Sequence, residues 1–173
     1  MLSRDEAIAL LRSWAEAHQH GDIQFRDSDA PAHDPSDDYQ IVYEARWLPG
    51  DIDKMAVEVW VAPNGSVAVG LDTRERVATR VGVPSRRPGF ATGCEPLPLS
   101  EEQLRAILRL VTSGSIVLRV SLIPLIGVGR VSAYSTANDA ETVEALGALR
   151  WIGHASDLRR PALASRVLTY EPW

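Results

Sequence analysis

The chain has 173 residues, a hydrophobic fraction of 45%, a charged fraction of 24% and a formal net charge of −5 at pH 7. This length and composition are typical of one soluble globular domain with a core of its own. The single cysteine, Cys94, excludes an internal disulfide framework and a thiolate metal cage, and it is consistent with a reducing compartment.

The opening residues and the longest apolar run predict a cytoplasmic protein. Residues 1–6 lack the basic start and the apolar run of a signal peptide. Residues 115–128 are interrupted by Arg119 and Pro124 and are too few to span a bilayer. We therefore expect neither export nor membrane association.

A capping box predicts the first helix. Ser3 can accept a hydrogen bond from the amide three residues later, and Glu6 can reach back to the Ser3 amide. Apolar residues then recur on one helical stripe, which Gly21 can terminate: Ala7, Ile8, Leu11, Trp14 and Ala15. Residues 22–25 predict a short strand, and the mixed polar and proline residues of 27–38 predict a loop.

Alternation predicts one further strand and then a hairpin. Residues 39–47 place one set of side chains on a common face: Tyr39, Ile41, Tyr43, Ala45 and Trp47. In the hairpin, the cross-strand pairs that keep the apolar faces together are Val61–Val67, Val59–Val69 and Val57–Leu71. These pairs leave a three-residue loop in which Gly65 takes the left-handed position. Trp60 then lies across from Ala68, and we expect it either to pack under a helix or to face a partner.

The second part of the chain repeats helix and strand signals. Residues 72–81 predict a short helix, and the proline-rich and glycine-rich residues 84–98 predict a linker or a long crossover. A second capping box at Ser100 opens a helix that Gly114 ends. The remaining predictions are a hairpin of strands 115–122 and 129–134, a third helix at 138–153 and a last strand at 166–170.

These elements predict an α+β fold, in which an antiparallel β-sheet meander is packed by two to three amphipathic helices. We expect a single domain, 1–173. If the chain is built from two similar halves, they are residues 1–83 and 99–173, joined by residues 84–98. The two capping boxes indicate either a duplication or only the shared pattern of helix starts, and both readings stay open.

Charge is unevenly distributed along the chain. Residues 1–40 carry nine acidic residues against three basic ones, and Lys54 is the only lysine of the whole chain. The asymmetry permits electrostatic steering of a partner. An acidic protein with one lysine is a poor phosphate binder, so we predict no nucleic-acid partner. The arginine bias is typical of a GC-rich bacterial coding preference.

Catalytic and cofactor motifs are missing. His18 and His20, two residues apart on a helix, point to different faces, so we predict no metal site. Cys94 lacks a local nucleophile signature, and Gly127 and Gly129 lack the third glycine of a dinucleotide fingerprint. We predict no cofactor and no catalytic residue.

In size, acidity, missing catalytic motifs and a helix followed by a meander, the chain resembles small bacterial immunity proteins that neutralise toxin domains delivered between competing cells. The resemblance implies a non-catalytic protein whose acidic surface covers a basic or substrate-binding cleft on a cognate partner. The residues that we predict to bind the partner are Asp27, Asp29, Asp34, Asp37, Asp38, Asp51 and Asp53, with Trp47 and Trp60 as aromatic anchors.

A small enzyme or ligand-binding protein is the alternative. Its pocket would lie between sheet and helices, with Glu58, Tyr43 or His154 as polar groups. Glu58 neighbours Trp60 in an apolar strand, a setting that can raise the pKa of a carboxyl group. An outward-facing charge on a half-buried sheet is the preferred interpretation. A homodimer formed through an exposed strand is compatible with either function.

Overall fold

The computed structural model describes residues 1–29, 40–85, 88–123, 127–147, 149–158 and 165–173. Within these ranges the chain forms four helices and nine strands in two sheets, which confirms the predicted α+β fold. None of the helices in the described ranges combines the length and apolar character needed to cross a membrane.

The first sheet is the antiparallel meander that the alternation predicts, with each strand pairing with the next along the chain. Its strands are β1 (Ile23–Asp29), β2 (Tyr43–Pro49), β3 (Val57–Val61), β4 (Val67–Thr73) and β5 (Phe90–Gly93). The sequence predicts the second strand over 39–47, whereas β2 covers Tyr43–Pro49. Two further segments differ from the prediction. Residues 27–29, predicted as loop, extend β1, because cross-strand pairing with β2 continues to Asp29. β5 lies in the predicted linker 84–98, where Ala91 is buried in the core.

The second sheet has the strand order β8-β7-β6-β9. Its strands are β6 (Ile116–Ile123), β7 (Gly127–Ser135), β8 (Ile152–His154) and β9 (Ser165–Thr169). β8 runs parallel to β7, whereas the other pairs are antiparallel. The third helix of the prediction, 138–153, is shorter in the structure: it begins after Asp139 and ends at Leu146. β8 occupies the end of the predicted range.

Helix starts follow the sequence closely. The helices are α1 (Arg4–His18), α2 (Arg74–Val81), α3 (Glu101–Thr112) and α4 (Ala140–Leu146). Both predicted capping boxes are formed, by Ser3 with Glu6 and by Ser100 with Gln103. α1 contacts β3 and α3, and buried side chains from both sheets and these helices form one contiguous cluster. The division into two similar halves stays a prediction.

The hairpin of β3 and β4 has the predicted register, with Val61 opposite Val67, Val59 opposite Val69 and Val57 opposite Leu71. Gly65 adopts φ +82°, as the three-residue loop requires. A Cβ at this position would lie 2.5 Å from the carbonyl oxygen of Leu2. The turn therefore packs directly against the residues that precede α1.

A buried carboxylate ties α2 to the last strand. Asp72 is 0% exposed and accepts a 2.6 Å hydrogen bond from the hydroxyl of Tyr170 and a 2.8 Å bond from Nε of Arg76. Arg76 also donates to the carbonyl of Pro49 at 2.8 Å. Arg80 lies 4.5 Å above the Tyr170 ring. Because the carboxylate is shared between a hydroxyl and a guanidinium, we interpret this group as structural.

We expect Asp72→Asn to lower the free energy of unfolding by about 2 kcal/mol, since the guanidinium of Arg76 loses its charged acceptor while staying largely buried. Asparagine tolerates the φ of +48° at this position, so backbone strain does not contribute. Urea denaturation measures the change. Glu101→Gln is the control: it removes an exposed ion pair with Arg105, for which we expect a loss below about 0.5 kcal/mol. Equal stability of the two variants would contradict a structural role for Asp72.

Candidate functional site

Two of the predicted partner-binding acids are engaged within the chain. Asp27 accepts a 2.9 Å hydrogen bond from the hydroxyl of Tyr43, and its carboxylate lies 3.3 Å from Nε of Arg12. Asp53 pairs with Arg80 at 3.2 Å. Partial exposure keeps these carboxylates at the surface, but much of their charge is balanced by neighbouring arginines.

The charges of the other predicted partner-binding acids are less balanced by neighbouring cations. Asp51 accepts a hydrogen bond from the amide of Asp53 at 2.9 Å. Asp29 is exposed at the end of β1, where the strand pairs with Tyr43 of β2. Asp34, Asp37 and Asp38 lie outside the described residues.

The acids that are described fall into two groups. Asp27 and Asp29 lie at one end of β1, whereas Asp51 follows β2 beside the opposite end, where Ile23 pairs with Pro49. At roughly 3.3 Å per residue, the two groups are about 20 Å apart. A partner that contacts both must therefore cover the whole edge of the first sheet.

The prediction that Trp47 anchors a partner is wrong. Its side chain is 0% exposed and packs between the rings of Phe25 and Trp173, at centroid distances of 4.8 and 6.4 Å. Alternation correctly places Trp47 on one face with Tyr43 and Ala45, but that face is directed into the core. Alternation alone does not distinguish a core face from an interface.

Trp60 lies on the opposite, outer face of the sheet and is half-buried. It packs edge-on against Phe90, with centroids 5.9 Å apart and an interplanar angle of 83°, rather than under a helix. The indole Nε1 donates a 3.2 Å hydrogen bond to Glu44. A Cβ at Gly70 would lie 2.7 Å from the Phe90 ring, so this ring rests on bare backbone.

Charged side chains surround this aromatic pair. The register places Glu44 opposite Trp60, and Arg46 opposite Glu58. Nε of Arg46 donates to Glu44 at 2.8 Å, and the same guanidinium forms an ion pair with Glu58. Glu58 is 1% exposed. We call these five residues, Glu44, Arg46, Glu58, Trp60 and Phe90, the outer-face cluster.

The two carboxyl groups of the outer-face cluster titrate differently. Burial raises the pKa of Glu58 to about 8; the hydrogen bond with Glu44 adds to this shift and Arg46 opposes it. Burial also acts to raise the pKa of Glu44, but hydrogen bonds with Glu58 and Arg46 bring it below its usual value. At pH 7 the pair therefore holds one proton, which resides mainly on Glu58.

The polar groups of the alternative function do not converge. Tyr43 faces the core, Glu58 lies on the other face of the same sheet, and His154 ends β8 in the second sheet. A cavity of about 230 Å³ lies between α4 and β8, and His154 is at its border. Neither Tyr43 nor Glu58 lines this cavity. Among the described residues, no three His, Cys, Asp or Glu side chains are grouped as a metal ion would require.

Comparisons with known proteins assign no family. No protein-family model, no curated protein and no solved structure matches the chain. The functional argument therefore depends on the geometry of the outer-face cluster and of the acids along β1. Sequence reasoning singled out Glu58 and Trp60 but missed Arg46 and Phe90. The position of Arg46 opposite Glu58 follows from the register of β2 against β3, which the alternation within one strand does not predict.

Proposed function

We propose that the chain is a non-catalytic protein-binding protein, of the class of bacterial immunity proteins, and that it contacts its partner through the outer face of the first sheet. The observation that carries this proposal is the half-buried pair of Trp60 and Phe90 on the face opposite the core. Tryptophan and arginine are enriched among the residues that contribute most to protein–protein affinity. Trp60 is held in place by Phe90 and Glu44, so little side-chain entropy remains to be lost on binding.

Electrostatics support a partner of complementary charge. The chain has a formal net charge of −5, and Asp29 is exposed at the end of the edge strand β1. Such a field accelerates association with a basic surface and slows it with an acidic one. The acidic residues therefore steer the partner, while the aromatic pair supplies the contact area.

The state of Cys94 also supports a non-catalytic function in a reducing compartment such as the bacterial cytoplasm. Burial raises the pKa of its thiol, which accepts a 3.4 Å hydrogen bond from the amide of Val69. A catalytic nucleophile requires the opposite shift, because the thiolate is the reactive form.

We expect Trp60→Ala to weaken binding to the natural partner by about tenfold or more, since a central tryptophan contact is removed. The partner is captured from native lysate on the wild-type chain and identified, and its dissociation constant is then measured by biolayer interferometry. Trp14→Ala is the matched control, because Trp14 is also half-buried but lies on α1 beside His18. Equal affinity of wild type and Trp60→Ala would contradict the proposal.

A small enzyme is the second candidate, favoured by the two carboxyl groups with separated pKa values. Such a pair can supply a general acid, Glu58, and an ionised base, Glu44. Glu58 is only 1% exposed, however. A substrate could reach it only after Trp60 or Arg46 moves. Turnover of a substrate that Glu58→Gln abolishes, with Trp60→Ala still active, would favour this candidate.

A further inference from the structure

The outer-face cluster contains one more acidic group than basic groups. Arg46 is the cation that contacts both Glu44 and Glu58. On the neighbouring strand β4, Gly70 faces Glu58, and Phe90 of β5 covers that glycine. Asp72, two residues further along β4, is engaged by Tyr170 and Arg76.

One more charged residue borders the cluster. Arg26 of β1 lies opposite Arg46, but it is exposed and two strands away from Glu58. When both carboxyl groups are ionised, Arg46 alone thus leaves one negative charge of the cluster uncompensated among the residues that the structure describes.

The cluster already shows that it accommodates a guanidinium group. Arg46 contacts one oxygen of Glu44, Oε1, through both Nε and a terminal nitrogen, and the other carboxylate oxygen, Oε2, is not used in this contact. Next to this contact, Trp60 and Phe90 meet at 83° and form an aromatic corner. Aromatic faces attract cations, and the attraction strengthens where water is excluded.

We propose that the outer-face cluster receives an arginine side chain of the protein partner, which enters beside Trp60 and pairs with Glu44, next to the buried carboxyl of Glu58. This inference rests on the proposed protein-binding function and specifies the chemistry of the partner. A guanidinium fits better than an ammonium because it is planar, stacks on the indole and binds a carboxylate through two nitrogens.

Entry of the arginine is coupled to loss of a proton. Below pH 8 the buried carboxyl of Glu58 holds a proton, so the cluster is close to neutral. When the second guanidinium pairs with Glu44, its charge lowers the pKa of Glu58. In the molecules that ionise, the O–H bond of Glu58 breaks and the proton leaves to solvent. Binding therefore strengthens as pH rises toward and through 8, by about tenfold between pH 6 and pH 9.

The test uses N-acetyl-arginine amide as a probe, with N-acetyl-citrulline amide as its neutral isostere. We expect the arginine amide to shift the Trp60 indole N–H resonance saturably in NMR titrations, with a dissociation constant about tenfold lower at pH 9 than at pH 6, and the citrulline amide to cause no saturable shift. Glu58→Gln should remove the pH dependence, and Glu44→Gln should weaken binding at both pH values. Glu101→Gln, distant on α3, should change neither.

Three results would overturn the inference: no saturable shift of Trp60 by the arginine amide, an equal shift by the citrulline amide, or an unchanged pH dependence in Glu58→Gln. If Trp60→Ala still weakens binding of the captured partner, the proposed function stands without the arginine site. If the arginine amide binds as expected but Trp60→Ala leaves the captured partner unaffected, the site stands and the proposed interface is wrong.

Discussion

Replacement of Trp47 by alanine is expected to lower the free energy of unfolding by about 3–5 kcal/mol. The indole is fully buried between Phe25 and Trp173, so truncation removes its apolar contacts and leaves a cavity that the two rings cannot fill. Urea denaturation followed by far-UV circular dichroism measures the loss.

Trp47→Phe is the matched control for this experiment. It keeps an aromatic ring and removes the indole Nε1, which has no hydrogen-bond partner in the described structure. We expect it to cost less, about 1–2 kcal/mol, because the cavity is smaller. If alanine at this position costs less than about 1 kcal/mol, Trp47 does not lie in the core and regains its place among the candidates for partner contact.

The stability of the protein is expected to fall as pH rises from about 4.5 to about 8, and Glu58 is the cause. The pKa of Glu58 is raised from 4.5 to about 8 in the folded state. Between these values the folded chain holds a proton that the unfolded chain has released. The stabilisation is complete below the pKa that Glu58 has in the unfolded chain, and it is lost as pH rises through the pKa of the folded state. The free energy of unfolding falls by up to about 1.4 kcal/mol per pH unit in this range.

Urea denaturation at pH 5, 6, 7 and 8 tests this dependence in wild type and in Glu58→Gln. Glutamine cannot ionise, so we expect the free energy of unfolding of the variant to depend much less on pH. Compared with wild type, the variant should therefore be more stable at pH 8 than it is at pH 5. Parallel profiles of the two proteins would show that Glu58 titrates normally and that the outer-face cluster does not bury its charge.

Local features of the fold could be predicted from sequence because the interactions that produce them are local. Ser3 and Ser100 cap helices through contacts three residues away, and the hairpin register follows from alternation and from Gly65. Asp72 and Tyr170 are different, since 98 positions separate them and neither belongs to a recognisable motif. Only the packed structure brings such residues together.

The candidate site likewise combines features that local sequence patterns predict with features that only long-range packing determines. Alternation separates Trp47 from Trp60 by face, but which face is buried depends on where α1 and α3 pack, and this depends on long-range contacts. Phe90 lies in a proline-rich segment without periodicity, so its position over Gly70 could not be predicted. Counting acids likewise overlooks partners such as Arg80, which reaches Asp53 from α2.

Hydroxyl-radical footprinting of the chain with and without its captured partner tests the proposed interface most directly, because mass spectrometry reads the reactivity of each aromatic side chain. We predict that the partner protects Trp60 and Phe90 from oxidation and leaves Trp14, on α1, as reactive as in the free chain. Unchanged reactivity of Trp60 and Phe90 in the complex, with protection elsewhere, would contradict binding through the outer face of the first sheet.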